Sequence, residues 1–186
     1  HDIREAGVQM ILLVEDNIRF YSSILPNLYS YLLVQSQRFS TEALNRHSAT
    51  LRMRGRPKVV LARTYEEAME LYDKYADNTL GVISDVRFPV GGEKDSEAGL
   101  KLLRTIRAHD EYVPLIMESS ESANRKEAEA EGFRFVDKNS KTMNIDLRHI
   151  MEEHMGFGDF IFRDPKTHQE IARVHNLKEL QDNIFK

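Results

Sequence analysis

Charged and hydroxyl side chains stand at the ends of apolar runs in this sequence. Glu15 and Asp16 follow the run MILLV, Asp85 follows GVIS, Ser119 comes shortly after PLIM, and Lys138 ends the stretch FRFVDK. If these runs are parallel strands of an open sheet, their carboxyl ends meet at one edge, which is where such sheets bind ligands. We therefore expect an acidic pair, a single carboxylate, a hydroxyl and an ammonium to converge there.

Phosphoryl transfer to a carboxylate is the chemistry that suits this set. Three carboxylates held close together repel one another and raise each other's pKa unless a cation lies between them. Mg²⁺ takes one or two carboxylates together with water and phosphate oxygens. Asp85 would act as the nucleophile that forms an acyl phosphate. Lys138 would pair with Asp85 and then with the phosphoryl oxygens, one of which the Ser119 hydroxyl would bond.

The elements that must position these residues follow from the apolar pattern. Segments with helical periodicity separate five apolar blocks of strand length. This alternation predicts an α/β fold of three layers, in which a doubly wound five-stranded parallel sheet carries helices on both faces. The blocks lie at 10–14, 58–62, 80–84, 114–117 and 133–136, and the helical segments at 18–44, 65–75, 97–108, 123–131 and 145–154.

Local signals mark where several helices begin or bend. Thr64 and Glu67 form a capping box, and Ser96 with Glu97 places a hydroxyl and a carboxylate at another helix start. The extended first helix contains Pro26, so we expect a kink or a break at that residue.

Two segments look inserted into this alternation. Residues 45–57 contain four arginines and predict either a solvated basic loop or a docking surface for an acidic partner. No aromatic residues alternate with these arginines, so stacking on nucleic-acid bases finds no support. Residues 90–95, VGGEKD, predict a mobile loop.

The sequence changes character after Gly156. Residues 159–163 and 170–174 predict a hairpin, and an amphipathic helix follows it. We expect one domain at 8–155 and, at 156–186, a C-terminal appendage or linker to a further domain. The seven histidines have no metal-ligand spacing, and we expect them at the surface.

The composition indicates where in the cell the protein works and which classes of partner it does not bind. A chain of 186 residues with 41% hydrophobic and 30% charged residues fits one globular domain with additions. The net charge of −4 gives no general attraction to nucleic acid or to anionic membranes. The sequence has no cysteine, and no apolar run approaches the roughly 20 residues of a membrane span. We expect a cytoplasmic protein that binds neither nucleic acid directly nor a membrane.

Four stretches together resemble the receiver domains of two-component response regulators. They are ILLVEDN at 11–17, VISDVRFP at 82–89, PLIMESS at 114–120 and GFRFVDK at 132–138. The resemblance covers about 8–155 and implies a flavodoxin-like sheet with the strand order 2-1-3-4-5. By this resemblance Asp85 is the phosphoacceptor, and Mg²⁺ is bound by Glu15, Asp16, Asp85 and the backbone carbonyl of Arg87.

The resemblance also implies a switch and its partners. Ser119 is similar to the switch hydroxyl of these domains, Phe135 to the switch aromatic, and Lys138 to the lysine of the phosphorylation site. A sensor histidine kinase or a phosphotransfer protein would donate the phosphoryl group, and the change would act on a partner or an attached domain. The chain would not be an enzyme that acts on other molecules, and it would catalyse only its own phosphorylation and dephosphorylation.

The sequence departs from the family pattern at several positions. Asn139 follows Lys138 where these domains usually have proline. Glu118 stands where an apolar residue normally precedes the switch hydroxyl, and this carboxylate either alters the site or points outward. The stretch before Lys58 and the stretch between Pro89 and Gly99 are longer than usual.

Simpler roles remain open for most of these residues. Asp16 and Asn17 could be helix caps only, and Ser119 could be one as well. Lys138 could be an exposed lysine, and Phe135 is a core residue on either interpretation.

Two other functions also remain to be weighed. The chain could be a degenerate receiver-like scaffold that binds proteins without phosphate turnover. Its tail from Phe157 weakly resembles sequence leading into phosphoenolpyruvate synthase or pyruvate phosphate dikinase-like proteins, so it could regulate an attached phosphotransfer enzyme. A haloacid dehalogenase-type hydrolase would need a second Asp where this sequence has Arg87.

Overall fold

The protein is described by a computed structural model that covers residue 3 and residues 7–41, 57–156, 160–167, 169–174 and 177–184. The strands are β1 (Met10–Val14), β2 (Lys58–Ala62), β3 (Thr79–Asp85), β4 (Phe88–Val90), β5 (Glu93–Asp95), β6 (Leu115–Ser119), β7 (Arg134–Asp137), β8 (Phe160–Arg163) and β9 (Glu170–Val174). The α-helices are α1 (Ile18–Thr41), α2 (Tyr65–Tyr75), α3 (Ala98–His109), α4 (Asn124–Ala130), α5 (Met143–Met155) and α6 (Leu177–Ile184).

Five strands form one parallel sheet in the order β2-β1-β3-β6-β7. Counted along the chain among these five, this is the order 2-1-3-4-5, so the predicted sheet is confirmed. β1 and β2 have the expected bounds, and the other three strands differ from the expected blocks by one or two residues at their ends. The strand order reverses between β1 and β3, and this is the position at which such sheets bind ligands.

Helices cover both faces of the sheet and make the three predicted layers. All five residues of β1 are buried, as expected for a strand with a core on each side. Leu12 and Val14 pack with Tyr72 of α2 and Leu103 of α3 on one face. On the other face, the apolar residues packed together come from α1, α5 and the strands: Ile11, Leu13, Ile24, Leu28, Leu32, Ile83, Ile116, Leu147 and Met151.

The first helix runs through Pro26 without a break, so of the predicted kink or break, the break was wrong. Pro26 removes one backbone donor from the helix. Ile24 and Leu28 on either side of the proline are buried against the sheet. This packing holds the helix together where the local sequence predicted an interruption.

The predicted helix starts differ in their outcome. At α2, Thr64 Oγ1 accepts a hydrogen bond from the Glu67 N–H at 3.1 Å, and the Glu67 carboxylate accepts from the Arg63 N–H at 2.7 Å. At α3, Glu97 occupies the N-cap position at the expected helix start, but its side chain makes no capping hydrogen bond, and its N–H donates to Asp95 Oδ1 at 2.8 Å.

Residues 88–95 form a β-hairpin where the sequence predicted a loop. β4 and β5 pair in antiparallel fashion, and Gly91 and Gly92 make the turn with φ values of 61° and 87°. Such left-handed values at both central residues suit a tight hairpin turn, and glycine adopts them without strain. Phe88 at the base of the hairpin is fully buried.

A second hairpin and a helix follow the sheet. β8 and β9 pair in antiparallel fashion, as predicted, and α6 follows them. Arg173 donates to the carbonyls of Glu152 and Glu153 at 3.0 and 2.7 Å, which ties this hairpin to the carboxyl end of α5. The predicted basic loop at 45–57 lies outside the described residues except for Pro57. Of the helices in the described ranges, none is both long and apolar enough to cross a membrane.

Candidate functional site

Three carboxyl side chains lie next to one another across the sheet. Asp85 of β3 pairs in register with Glu118 of β6. Glu15 follows Val14, whose partner on β3 is Ser84, so Glu15 comes beside Asp85. Side chains at matching positions of neighbouring strands point to the same face of a sheet. These three residues therefore form a row, at the carboxyl edge, on the face that α1 and α5 cover.

Lys138 reaches this row from the position directly after β7. Its Nζ lies 2.6 Å from Glu15 Oε2 and 3.0 Å from Asp85 Oδ1. The same ammonium lies 4.2 Å from the centroid of the Phe20 ring, within the range of a cation–π interaction. The Lys138 side chain is only 12% exposed, so it is not an ordinary surface lysine. Its N–H donates to the Ser119 carbonyl at 2.9 Å, which fixes its backbone beside β6.

Glu15, Asp16 and Asp85 fit a hard divalent cation. One oxygen of each carboxylate lies within 4.8 Å of the others. They line a cleft with a volume of about 580 Å³ that is open to solvent and also holds Lys138. Oxygen donors at this spacing, next to room for water and a phosphoryl group, match the preferences of Mg²⁺. When bound, the ion would neutralise the carboxylates and the charge of an incoming phosphoryl group.

Burial and charge act against each other at Glu15 and Lys138. Burial raises the pKa of Glu15, the charge of Asp85 adds to this, and the hydrogen bonds from Lys138 and the Asn17 N–H offset part of it. Burial lowers the pKa of Lys138, but the neighbouring carboxyls of Glu118, Asp85 and Glu15 outweigh it and leave that pKa raised. Lys138 therefore stays an ammonium at neutral pH.

The carboxyl group of Glu118 points into the protein and not outward. It is 0% exposed, and neither of its oxygens accepts a hydrogen bond from a donor among the described residues. Burial raises its pKa well above the usual value, with Lys138 opposing this shift and Glu15 and Asp85 reinforcing it. A fourth carboxyl group, whose pKa is raised by its burial, thus lies at the inner side of the acidic cluster.

Ser119 and Phe135 lie on neighbouring strands, and each is held by a residue of α4. Ser119 Oγ accepts hydrogen bonds from Asn124 Nδ2 at 2.9 Å and from the Glu121 N–H at 3.0 Å. A hydroxyl that accepts twice keeps its own proton for a third partner. Phe135 is buried in the core, and the Arg125 guanidinium lies 4.7 Å from its ring centroid.

The remaining predicted residues occupy the rim of the cleft. Asn17 caps α1, because its Oδ1 accepts from the Arg19 N–H at 3.0 Å. Asp16 forms an ion pair with Lys94 instead, at 3.2 Å. Arg87 is exposed and lines the cleft two positions after Asp85.

Asn139 uses groups that a proline would lack. Its N–H donates to Asp137 Oδ1 and its Nδ2 to the Ser120 carbonyl, both at 2.8 Å. These bonds join the loop after β7 to the loop after β6. Asn139 therefore ties the loop that carries Lys138 to the loop that follows Ser119.

Sequence reasoning missed four residues that shape the site: Phe20, Lys94, Gly99 and Asn124. A β-carbon added to Gly99, in the first turn of α3, would lie 2.1 Å from the Asp85 carbonyl oxygen, so only glycine lets α3 pack this closely against Asp85. The long stretch between Pro89 and Gly99 was a signal for Lys94. Nothing local in the sequence indicated that Phe20 would meet Lys138.

The sequence matches no family model and no curated protein. Solved structures do resemble it. One is a response regulator receiver domain from Clostridium thermocellum, with 18% identity, a TM-score of 0.53, and coverage of 80% of this chain and 95% of that one. The chain has the receiver fold.

Two further structures with this fold include magnesium. One is the receiver domain of a sensor histidine kinase from Pseudomonas aeruginosa, which has a magnesium ion coordinated in its active-site cleft. It has 22% identity, a TM-score of 0.53, and coverage of 80% of this chain and 98% of that one. A CheX–CheY–BeF₃–Mg²⁺ complex from Borrelia burgdorferi matches with 18% identity, a TM-score of 0.52, and coverage of 80% and 92%.

Proposed function

We propose that this chain is the phosphoacceptor receiver domain of a two-component signalling system and takes a phosphoryl group on Asp85 with the help of Mg²⁺. The observation that carries the proposal is the position of Lys138 Nζ, 3.0 Å from Asp85 Oδ1, at an edge where Glu15 and Asp16 offer two more carboxylates. Phosphoryl transfer needs positioning and charge neutralisation more than covalent help from the protein, and this group of residues supplies both.

The transfer step uses the second oxygen of the Asp85 carboxylate. Oδ1 is occupied by the Val86 N–H at 2.8 Å and by Lys138, which leaves Oδ2 as the nucleophile. Oδ2 forms a new bond to phosphorus as the bond to the leaving group breaks. From a phosphohistidine the leaving group is the imidazole, which keeps the electron pair and takes a proton. From acetyl phosphate it is acetate. Lys138 then bonds a phosphoryl oxygen.

Ser119 and Phe135 would transmit the change. Ser119 Oγ keeps a proton that it can donate to a phosphoryl oxygen. If the hydroxyl moved toward the phosphoryl group, its hydrogen bonds from Asn124 Nδ2 and the Glu121 N–H would weaken. Phe135 borders the same helix through Arg125. The proposed output is a repacked surface around α4 and β7, which acts on a partner or an attached domain.

The proposed partners follow from this role. A sensor histidine kinase or a phosphotransfer protein in the cytoplasm would donate the phosphoryl group. The chain would catalyse only its own phosphorylation and dephosphorylation. Regulation of an attached phosphoenolpyruvate synthase or pyruvate phosphate dikinase-like enzyme remains a prediction that rests on the tail sequence alone.

Incubation with acetyl phosphate and Mg²⁺ tests the proposal directly. Intact-protein mass spectrometry should detect one added phosphoryl group that disappears with hydroxylamine, which cleaves acyl phosphates. Asp85→Asn keeps the size of the side chain and should gain nothing, and omitting Mg²⁺ should abolish the gain. An unchanged mass in the presence of Mg²⁺, or equal labelling of Asp85→Asn, ends the proposal.

One observation favours a second candidate, a receiver-like scaffold without phosphate turnover. Each carboxylate of the cluster already has an ammonium partner, since Lys138 pairs with Glu15 and Asp85 and Lys94 pairs with Asp16. Such a chain could hold its fold without a divalent cation. A titration with Mg²⁺ separates the candidates, because a scaffold should bind none at millimolar concentration.

A further inference from the structure

We infer that Lys94, carried by the β4–β5 hairpin, is a built-in counterion of Asp16 that competes with the divalent cation and raises the Mg²⁺ concentration needed to fill the site. The inference rests on the proposed function, since it concerns the same metal site. It assigns a purpose to the inserted stretch that distinguishes this chain from the receiver pattern.

The contact itself joins a well-exposed lysine to a sheltered carboxylate. Lys94 Nζ lies 3.2 Å from Asp16 Oδ2, with the lysine side chain 64% exposed and the aspartate 15% exposed. Asp16 is one of the three carboxylates grouped for a cation. Since an ammonium and a divalent cation repel each other, both cannot use this carboxylate without a loss of free energy. Binding of Mg²⁺ therefore has to displace Lys94 or tolerate its charge.

The hairpin holds Lys94 in this position from both sides. At its tip the Gly91 N–H donates to Glu66 Oε1 of α2 at 2.7 Å. At its base Asp95 Oδ2 pairs with Lys101 Nζ of α3 at 2.5 Å. Lys94 stands one residue before Asp95 and opposite Pro89 in the hairpin register. Fixed at both ends, the hairpin presents Lys94 to the cleft, and only its side chain is free to leave.

The two lysines of the cluster differ in how easily they can be displaced. Lys138 is 12% exposed, contacts two carboxylates and stacks on Phe20. Lys94 contacts one carboxylate from the solvent side. A cation entering the cleft would displace Lys94 first, because its ammonium returns to water at little cost. Lys94 thus lowers the affinity of the site for the ion, while Lys138 serves the phosphoryl group.

The decisive measurement is the dissociation constant for Mg²⁺ by titration calorimetry on the full chain at low ionic strength. Lys94→Met removes the charge and keeps the length, and it should tighten Mg²⁺ binding about fivefold. Lys94→Arg keeps the charge and should stay close to the parent protein. Lys74→Met, in the last turn of α2, removes the same charge at the opposite edge of the sheet and should change little.

A second variant tests whether the hairpin positions Lys94. Glu66→Ala removes the carboxylate that accepts the hydrogen bond from the Gly91 N–H at the hairpin tip, and with it one negative charge. General electrostatics predicts weaker Mg²⁺ binding after losing a negative charge, whereas release of the hairpin predicts tighter binding. Weaker binding would overturn the positioning role.

The outcomes separate this inference from the proposed function. If the parent protein and Lys94→Met bind Mg²⁺ equally, the inference is lost and the metal site stands. If Lys94→Met binds Mg²⁺ unchanged but binds beryllofluoride more weakly, Lys94 is a phosphoryl ligand and the inference is also lost. If neither protein binds Mg²⁺ at millimolar concentration, the metal site and the inference fall together.

Discussion

Glu118 and Asp85 occupy paired positions on β6 and β3, so a fully buried carboxyl group lies beside the proposed phosphoacceptor. Burying a carboxyl without a hydrogen-bond donor costs free energy, and this group has no such donor among the described residues. Glu118→Leu is similar in volume and removes the buried carboxyl group beside Glu15 and Asp85. We expect it to raise the free energy of unfolding at pH 7.5 by about 1–3 kcal/mol, measured by urea denaturation.

The stability that Glu118→Leu gains over the parent protein should depend on pH in a definite direction. Burial raises the pKa of Glu118 in the folded state, so its contribution to stability is most favourable below its unfolded value of 4.5 and is lost as the pH rises. The advantage of Glu118→Leu should therefore shrink between pH 7.5 and pH 5. Glu121→Leu changes an exposed glutamate nearby and serves as the control. Equal stability of Glu118→Leu and the parent protein would show that the carboxyl is well accommodated.

Predictability from sequence depended on whether a feature is set by local or by distant contacts. The five strands of the parallel sheet were predictable because β1, β2, β3, β6 and β7 are apolar blocks followed by polar residues. The β4–β5 hairpin was not, because Glu93 and Lys94 carry no apolar signal. Contacts with Glu66 and Lys101, which are distant in sequence, hold it.

The same distinction between local and distant contacts separates the site residues that were predictable from those that were not. Glu15, Asp85 and Lys138 were predictable because each stands at a strand end. Phe20 and Lys138 lie far apart in the sequence, and their contact depends on how α1 packs on the sheet. Whether Glu118 faces inward was also undecided by sequence, because only the register of β6 with β3 fixes its direction.

Removing the ammonium of Lys138 should destabilise the protein and make it depend on Mg²⁺. Glu15 is fully buried and would lose its cationic partner in Lys138→Met. Breaking such a buried pair costs about 3–5 kcal/mol. Since Mg²⁺ would replace the missing charge, saturating Mg²⁺ should stabilise this variant more than it stabilises the parent protein. Thermal unfolding with Mg²⁺ and with a chelator measures both effects.

Lys141→Met, an exposed lysine in the following turn, is the matched control for the loss of one charge. It should unfold like the parent protein under both conditions. A Lys138→Met protein with unchanged stability in chelator would contradict the role of this lysine as the counterion of Glu15.

Two glycines allow a matched test of close packing at Asp85. A β-carbon at Gly99 would lie 2.1 Å from the Asp85 carbonyl oxygen, while one at Gly81 would lie 2.4 Å from the terminal methyl of Met155. Backbone cannot move aside cheaply, whereas a methionine side chain can change rotamer. Gly99→Ala should therefore cost at least about 2 kcal/mol more than Gly81→Ala and should lower phosphorylation of Asp85. Equal costs in urea denaturation would contradict this.

His154 should destabilise the fold as the pH falls, because it is partly buried and not at the surface as the sequence suggested. Burial, aided by Arg134, lowers its pKa from 6.5 to about 4 in the folded state, with Glu153 opposing the shift. A base with a lowered pKa contributes stability that is complete above pH 6.5 and is lost as the pH falls toward 4. After allowance for solvent screening, the loss amounts to about 1–2 kcal/mol.

His154→Asn removes the titrating group and should lose less stability between pH 7.5 and pH 4.5 than the parent protein does. His149→Asn, on an exposed position of the same helix, should follow the parent protein. The comparison uses differences between variants because Glu118 contributes the opposite slope in all of them. Parallel pH profiles for His154→Asn and the parent protein would mean that this imidazole gains its proton as easily when folded as when unfolded.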